Sequence, residues 1–167
     1  AGYRSAGIHG YIFQVLRHLP DADSNLSYTV FVGEGRPTPD ARLAVRMSRL
    51  RTGRPAMRVV WEQFLQPGEI ARARVDLHHG MAFVTPLLSP CPSVVTVYDL
   101  SFMHYPEYFR PLNRLYLRLM TPISCRRARR VIAISESTAR DVADVLGVPT
   151  ARIDVAVPGV DARFFEP

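Results

Sequence analysis

The sequence predicts an α/β fold, a parallel sheet with helices on both faces, and three observations support this prediction. Residues 93–99 and 131–134 are short runs rich in β-branched side chains without a helical period, which is typical of strands buried on both faces. The 110–130 segment between them repeats its apolar residues at helical spacing. A strand, a crossover helix and a second strand form a βαβ unit, the building block of a parallel sheet.

Composition favours a single globular domain over residues 1–167. The chain is 47% hydrophobic and 22% charged, which suits a buried core with a polar surface. Its apolar runs are shorter than the ~20 residues that span a bilayer, and it has no signal-peptide pattern. Cys91 and Cys125 lie far apart, without the spacing of a zinc site or of a disulfide framework. We therefore expect a protein of the reducing cytoplasm.

The charge pattern is basic and unusual. The formal net charge is +6, and all 21 basic residues are arginine, which is typical of a GC-rich genome; we expect a bacterial source. Four arginines end the 110–130 helix pattern, where they either oppose the partial negative charge of the helix end or contact an anionic membrane or a nucleic acid. A solvated basic face is the simpler interpretation. No interleaved aromatic pattern supports nucleic acid as a partner.

A loop with two glycines, Gly7 and Gly10, leads into the first amphipathic helix pattern. Apolar residues recur at helical spacing over 8–19, and Pro20 ends the pattern. Such a helix start leaves backbone N–H groups for a phosphate or carboxylate. The alternative gives the glycines structural roles, with Gly7 as a turn residue and Gly10 as a close contact between helix and sheet.

The rest of the chain alternates strand and helix patterns. His78 and His79 are adjacent on one predicted strand, so their side chains point to opposite faces and a shared metal ion is not expected. Ser135 is predicted to cap a helix that Gly147 and Pro149 end. The predicted elements are a strand over 28–32, a helix over 40–53 or an excursion of the loop there, a strand over 57–61, a helix over 62–74 interrupted near Pro67, a strand over 75–80, the 110–130 helix kinked or split at Pro122, and a last strand over 153–157.

Chemistry in open parallel sheets lies beyond the carboxyl ends of the strands. In the central βαβ unit those ends carry Tyr98 and Asp99 on the first strand and Ser135 and Glu136 on the second. These four residues are therefore the first candidates for a functional site.

Several segments resemble the acceptor-side, N-terminal domain of family 4 retaining glycosyltransferases, which have the GT-B fold. They are the loop at 5–8, the run Val-Val-Thr-Val-Tyr-Asp-Leu-Ser-Phe at 94–102 with Tyr-Pro-Glu at 105–107, Arg-Val-Ile-Ala-Ile-Ser-Glu-Ser-Thr at 130–138 and Pro-Gly-Val-Asp-Ala-Arg-Phe at 158–164. No single motif is decisive, and the order and spacing of the segments together carry the resemblance, which covers nearly the whole chain.

The resemblance implies one Rossmann-like half of a two-domain enzyme. Such an enzyme moves a sugar from a nucleotide-diphosphate donor to a glycan, lipid or small-molecule acceptor, with retention at the anomeric carbon. It uses no metal and no cofactor, since the nucleotide sugar is a substrate. The C-terminal half, which holds the nucleotide, is absent from this sequence, so we expect residues 1–167 to be inactive alone.

The resemblance also assigns site residues. The amides of Gly7 and Ile8 would face the donor diphosphate, and Tyr98 and Asp99 would stand at the catalytic centre, where the family commonly has His-Asp. His79 would line the same cleft, and Ser135 and Glu136 would contact the acceptor, although capping explains them equally well. Family members begin with a central strand before the glycine loop. This chain starts after it, and we expect another segment or chain to fill the gap.

Two alternatives stay open at this point. A sugar-nucleotide 2-epimerase shares the two-domain fold, and product analysis separates it from a transferase. A non-catalytic module would instead bind an anion or a membrane through its arginines, which would give a cytoplasmic protein held peripherally on the inner membrane face.

Overall fold

The computed structural model describes residues 6–34, 40–48 and 50–160. Three parts of the predictions lie outside the described residues: Ser5 of the glycine loop, residue 49 of the helix predicted over 40–53, and residues 161–164. The helices are α1 (Ala6–Ala22), α2 (Pro55–Val60), α3 (Gln66–Ala73), α4 (Ser101–His104), α5 (Pro111–Arg127) and α6 (Glu136–Asp144). The strands are β1 (Thr29–Val32), β2 (Ala44–Met47), β3 (His78–Gly80), β4 (Ser93–Val97), β5 (Arg130–Ala133) and β6 (Ile153–Val155).

The strands form two parallel sheets, which confirms the predicted α/β class. The larger sheet has the order β3-β4-β5-β6, and the smaller one pairs β1 with β2. In the larger sheet, Val95 of β4 lies opposite Val131 of β5 and both side chains are fully buried, as expected for strands covered on two faces. Helix α5 connects these two strands as the predicted crossover. The fold is therefore a Rossmann-like half with its core around β4 and β5.

The helix predicted over 40–53 is wrong, because β2 lies there and extends β1 in parallel. The chain turns before the strand, where Asp40 accepts hydrogen bonds from the backbone N–H and the guanidinium of Arg42. Arg42 also pairs with Asp21, at the end of α1. Backbone pairing with an existing strand therefore overrides the weak helical period of this segment.

The strand predicted over 57–61 is also wrong. Residues 55–60 form α2, which begins with Pro55 in its first turn and continues through a wider π-helical turn (Trp61–Leu65) into α3. Pro67 does not interrupt this helical run. A proline lacks an N–H and crowds the carbonyl one turn earlier, and the π-helical turn before Pro67 widens the helix at that point.

Two further expectations are corrected. Pro122 does not split α5, which runs from Pro111 to Arg127 as one helix. Gly7 and Gly10 both lie inside α1, and a Cβ atom added at either would have no other atom within 4 Å. Gly7 is therefore not a turn residue, and Gly10 is not a close contact between helix and sheet.

A cavity of about 930 Å³ separates the two sheets. Within the described residues, β1 pairs with β2 alone and β3 pairs with β4 alone. Residues of β1 and β3, such as Phe31 and His79, line the cavity. In the described ranges no strand joins β1 to β3. The cavity thus lies between the two edges that a missing strand would join, and its filling by another segment or chain stays a prediction.

Gly80, at the end of β3, allows the chain after it to fold back closely. A Cβ atom there would lie 2.5 Å from the carbonyl oxygen of Val84 and 2.5 Å from Cγ2 of Thr85. Because backbone cannot move aside easily, we expect Gly80→Ala to lower the free energy of unfolding by about 1–3 kcal/mol. Urea unfolding measures this change.

Gly10→Ala is the matched control for Gly80→Ala. It meets no atom and exchanges glycine for a better helix former, so it is expected to leave stability unchanged or to raise it by up to about 1 kcal/mol. Equal effects of the two substitutions would contradict the close approach at Gly80.

Candidate functional site

The carboxyl ends of β4 and β5 lie side by side, as the sequence predicts. The backbone N–H of Ile134 donates to the carbonyl of Val97 (3.3 Å), which continues the pairing of the two strands. Beyond it, the buried hydroxyl of Thr138 donates to the carbonyl of Tyr98 (2.9 Å). This hydrogen bond fixes the first turn of α6 against the end of β4. Tyr98, Asp99, Ser135 and Glu136 therefore share one rim of the sheet, called here the β4–β5 rim.

Helix α1 brings its first turn to the same side of the sheet. Ile8 and Tyr11 pack against the core cluster that includes Tyr98. The rings of Tyr11 and Tyr98 meet edge to face, with their centroids 5.4 Å apart. Gly7 lies one helical turn before Tyr11 and therefore on the same face of α1. The first four N–H groups of a helix have no partner within it, so the amides of Gly7 and Ile8 make no hydrogen bond inside α1.

The Tyr98 side chain is part of the core. It is only 7% exposed, and its hydroxyl donates to the carbonyl of Met81 (2.8 Å). Its ring also lies against Phe83, at a centroid distance of 5.5 Å. The hydroxyl proton is thus engaged inside the protein. Tyr98 supports the rim by packing and by this hydrogen bond.

The Asp99 side chain is exposed and oriented by the chain that follows it. One carboxylate oxygen accepts hydrogen bonds from the backbone N–H (2.8 Å) and from the hydroxyl of Ser101, at the start of α4. This is the turn that aspartate commonly makes with a residue two positions later. It holds the carboxylate at the rim as an exposed hydrogen-bond acceptor.

Ser135 is the N-cap of α6, as predicted. Its side-chain oxygen accepts from the backbone N–H of Thr138 (3.1 Å) and is 3.0 Å from the Thr138 hydroxyl oxygen. Glu136 is exposed in the first turn of α6, where a negative charge is favourable. Capping therefore accounts for the position of Ser135. Among the described residues, none forms an ion pair or a hydrogen bond with the Glu136 carboxylate, which is exposed at the rim.

The two adjacent histidines are both largely removed from solvent. The His79 ring nitrogen Nε2 lies 2.8 Å from the hydroxyl of Thr96 on β4, and burial lowers the pKa of His79. Burial also lowers the pKa of His78, to about 4, with His79 adding to the effect. Both line the cavity between the sheets, whereas Tyr98, Asp99, Ser135 and Glu136 do not. The structure therefore places His79 beside the cavity, which the four rim residues do not line.

The loop after β3 crosses close to the rim in a strained conformation. Phe83 has a positive φ of 63°, which is rare for a residue other than glycine. Its backbone N–H donates to the carbonyl of Thr96 (2.9 Å), and its ring lies against Tyr98 and Phe102. Strain of this kind persists where surrounding contacts determine the conformation, and it is common near functional sites. No local pattern around Phe83 predicts this conformation, since its immediate neighbours are not turn-forming residues.

A partly buried polar cluster around Glu62, which lines the cavity between the sheets, was not predicted from the sequence. The Tyr116 hydroxyl of α5 donates to Glu62 (3.2 Å) and accepts from the Gln63 amide (3.1 Å), both in the π-helical turn. The Gln63 carbonyl oxygen accepts from the backbone N–H of Leu87 (3.1 Å), in the loop that precedes β4. Burial raises the pKa of Glu62 to about 7, although Arg58 and the Tyr116 hydrogen bond act in the opposite direction. The cluster joins residues 62 and 63 to residues 87 and 116, and no local sequence pattern predicts contacts over such separations.

Glu62→Gln is expected to stabilise the protein at neutral and higher pH. Folding raises the pKa of Glu62 from 4.5 to about 7, so the folded state binds more protons than the unfolded state in this window, and stability falls as pH rises through it. At about 1.4 kcal/mol per pKa unit, the cost approaches about 3 kcal/mol above pH 7. The neutral glutamine avoids that cost.

Urea unfolding of the wild type and of Glu62→Gln from pH 4.5 to pH 8 tests this expectation. His78 acts in the opposite sense, because its lowered pKa removes stability as pH falls from 6.5 to about 4. That effect is common to both proteins and cancels in their difference. The difference should be small at pH 4.5 and should grow toward pH 7. A difference that stays constant with pH would contradict the buried carboxyl.

Two further observations concern metal ligands and membrane-spanning helices in the described part of the chain. Within residues 6–34, 40–48 and 50–160, no three His, Cys, Asp or Glu side chains come together as metal ligands do. Over the same ranges, every helix is too short or too polar to cross a bilayer.

The site combines a helix start, an exposed carboxylate and a capped helix at one rim of a parallel sheet. The sequence model of the family described as Glycosyltransferase Family 4 matches residues 6–164. The search of curated proteins gave no significant match. Because the family match spans nearly the whole chain and the sheet is Rossmann-like, the chain belongs to Glycosyltransferase Family 4, as an N-terminal domain of that family.

Proposed function

We propose that this domain is the acceptor-side half of an enzyme that moves a sugar from a nucleotide-diphosphate donor to an acceptor with retention at the anomeric carbon. The observation that supports the proposal is the meeting of two features at one place. Tyr11, one turn after Gly7, contacts Tyr98, and Thr138 bonds to the carbonyl of Tyr98. The start of α1 and the β4–β5 rim are thus joined through a single residue.

The first turn of α1 is proposed to hold the donor diphosphate. The amides of Gly7 and Ile8 lie at the positive end of a 17-residue helix, where anions bind favourably. Open space around Gly7 lets a ligand approach the backbone closely. As the sugar leaves, negative charge grows on the diphosphate, and fixed N–H donors stabilise that charge most in the transition state.

Asp99 is proposed to position the transferred sugar. Its exposed carboxylate, held by Ser101, can accept hydrogen bonds from sugar hydroxyls. Tyr98 stands where the family commonly has histidine, and its hydroxyl is bonded to Met81. The proposed part of Tyr98 at the catalytic centre is therefore to shape the wall of the site with an uncharged ring. We therefore expect the enzyme to prefer donor sugars that need no cationic partner at this point.

Glu136 and Ser135 are proposed to form the acceptor side of the rim. Glu136 offers an exposed carboxylate to an acceptor hydroxyl, and Ser135 fixes the helix start that carries Glu136. His79 lies in the cavity instead, so its proposed contribution is limited to supporting β4 through Thr96. A glycan, a lipid or a small molecule with a free hydroxyl fits this arrangement.

A further strand is proposed to fill the cavity between β1 and β3. The cavity volume of about 930 Å³ and the two strands along its walls suit one extended segment paired on both sides. In the full-length protein, the amides of β1 and β3 that face the cavity should then exchange slowly with deuterium. Rapid exchange at both edges would contradict a paired strand.

Transfer assays with the full-length protein test the proposed function. UDP-glucose and GDP-mannose are suitable first probes, offered with a panel of glycan, lipid and small-molecule acceptors, and mass spectrometry detects a product that is one hexose heavier. Proton NMR then reads the anomeric configuration, and retention is expected. A 2-epimerised nucleotide sugar without transfer would assign the epimerase reaction instead. Because the nucleotide is proposed to bind in a second half, turnover by residues 1–167 alone would contradict the division of the site.

A further inference from the structure

The positive charge of this protein is concentrated in one segment. Residues 110–130 contain seven of the 21 arginines and no acidic residue. The remainder of the chain holds 14 arginines and 15 acidic residues, so it is close to neutral. The net charge of +6 therefore belongs to α5 and its two ends.

Helix α5 also exposes an apolar stripe. Leu112, Leu115, Leu119 and Ile123 are 84%, 54%, 56% and 40% exposed, and they are called here the leucine face. Their spacing of three and four residues places them on one side of the helix, over a length of roughly 16 Å. The opposite side packs into the core through the buried residues Leu117, Thr121, Ser124 and Cys125. The leucine face thus points directly away from the sheet.

Exposed arginines accompany the leucine face. Arg118 lies beside it on α5, and Arg127 and Arg129 lie where α5 ends. Among the described residues, none of these three forms an ion pair with an acidic side chain. Before the helix, Tyr108 is 81% exposed. Exposed apolar residues and arginines without ion pairs along and beside one helix, with an exposed tyrosine just before it, are typical of a helix that lies in the plane of a membrane interface.

We propose that the leucine face of α5 docks on a bilayer surface rich in anionic phospholipid. The leucines would enter the boundary between headgroups and acyl chains, and the long arginine side chains would reach lipid phosphates. Arginines close to an anionic membrane are attracted to its surface, and the attraction falls off within about a Debye length. The proposed contact is peripheral, on the side of α5 that faces away from the sheet.

Charge and position favour lipid over the other occupants. A second copy of the chain would bring two sets of seven arginines together, and like charges oppose that contact. The proposed nucleotide-binding half of the enzyme would lie across the carboxyl ends of the strands, where the proposed site is, whereas the leucine face points away from the sheet.

Vesicle sedimentation with the full-length protein tests the proposal. Vesicles of phosphatidylcholine mixed equally with phosphatidylglycerol should bind the protein, and vesicles of phosphatidylcholine alone should bind it about tenfold more weakly or not at all. The double variant Leu112→Gln/Leu119→Gln should weaken binding to the mixed vesicles by at least about tenfold. Arg118→Gln/Arg127→Gln should weaken it as well and should reduce its dependence on salt.

A matched control separates the leucine face from apolar residues elsewhere. Leu88 and Val157 are 75% and 73% exposed and lie outside α5, so Leu88→Gln/Val157→Gln should bind vesicles as the wild type does. All four positions are exposed, and circular dichroism should find every variant folded. Wild-type vesicle binding by the leucine variant would overturn the proposal. Self-association that the leucine variant loses, with vesicle binding unchanged, would assign the face to a second copy and would overturn it too.

Discussion

Phe102→Ala is expected to lower the free energy of unfolding by about 3–5 kcal/mol, the largest stability loss that this structure predicts for one side chain at the rim. Phe102 is 1% exposed. Its ring meets Phe83 and Phe109 edge to face, at centroid distances of 5.8 and 6.4 Å. Removing the Phe102 ring leaves a cavity beside the strained Phe83, whose own ring lies against Tyr98.

Urea unfolding measures the change, and Phe64→Ala is the control. Phe64 is 74% exposed, so its truncation should change the free energy of unfolding by less than about 0.5 kcal/mol. Phe102→Leu, which keeps most of the buried volume, should lose much less than Phe102→Ala. Similar losses for Phe64→Ala and Phe102→Ala would contradict the packing described around the rim.

Gly7→Pro is expected to lower kcat of the full-length enzyme by roughly 100- to 1000-fold, the effect of removing one N–H donor that faces developing charge. Gly7 is the second residue of α1, where proline fits the helix but has no N–H. The donor diphosphate would therefore lose one of its two proposed amide partners while the helix stays in place. Steady-state transfer kinetics measure the loss.

Two substitutions separate the amide from other effects. Gly7→Ala keeps the N–H and should lose far less activity than Gly7→Pro. Gly10→Ala lies outside the proposed site, meets no atom within 4 Å and should keep wild-type activity. Equal losses for Gly7→Pro and Gly7→Ala would mean that the side chain, and not the N–H group, is what matters at Gly7.

The core of the fold was predictable because its signals are local and agree with one another. The buried runs became β4 and β5, and Ser135 caps α6 with the bond that its position predicts. At the other end of α6, Gly147 has a positive φ of 65°, and its N–H bonds to the carbonyl of Ala143. At these places pattern, cap and burial all favour the same structure.

The errors lie where tertiary contacts decide the structure. Residues 57–61 contain two valines and a tryptophan, which favour a strand, yet Glu62 and Gln63 immediately after them bond to Tyr116 and hold the segment against α5 as a helix. Residues 44–47 have a weak helical period, yet pairing with β1 makes them a strand. Neither contact is visible in the local sequence.

The candidate site was predictable in position but less so in detail. The strand-end rule brought Tyr98, Asp99, Ser135 and Glu136 to one rim. It gave no indication that the Tyr98 hydroxyl bonds to Met81, or that the chain between them bends at Phe83. His79 was placed in the same cleft by resemblance, whereas its ring bonds to Thr96 and lines the cavity between the sheets. Side-chain direction on a three-residue strand depends on register, which the sequence alone does not determine.

The central claim is that the start of α1 and the β4–β5 rim form one binding site. An NMR titration of the full-length protein with UDP-glucose and, in parallel, with GDP-mannose tests it most directly. We predict that the amide signals of Gly7 and Ile8 shift together with those of Asp99 and Ser101, with the same half-saturation. Shifts confined to one of the two groups, or half-saturation at different concentrations, would contradict the claim.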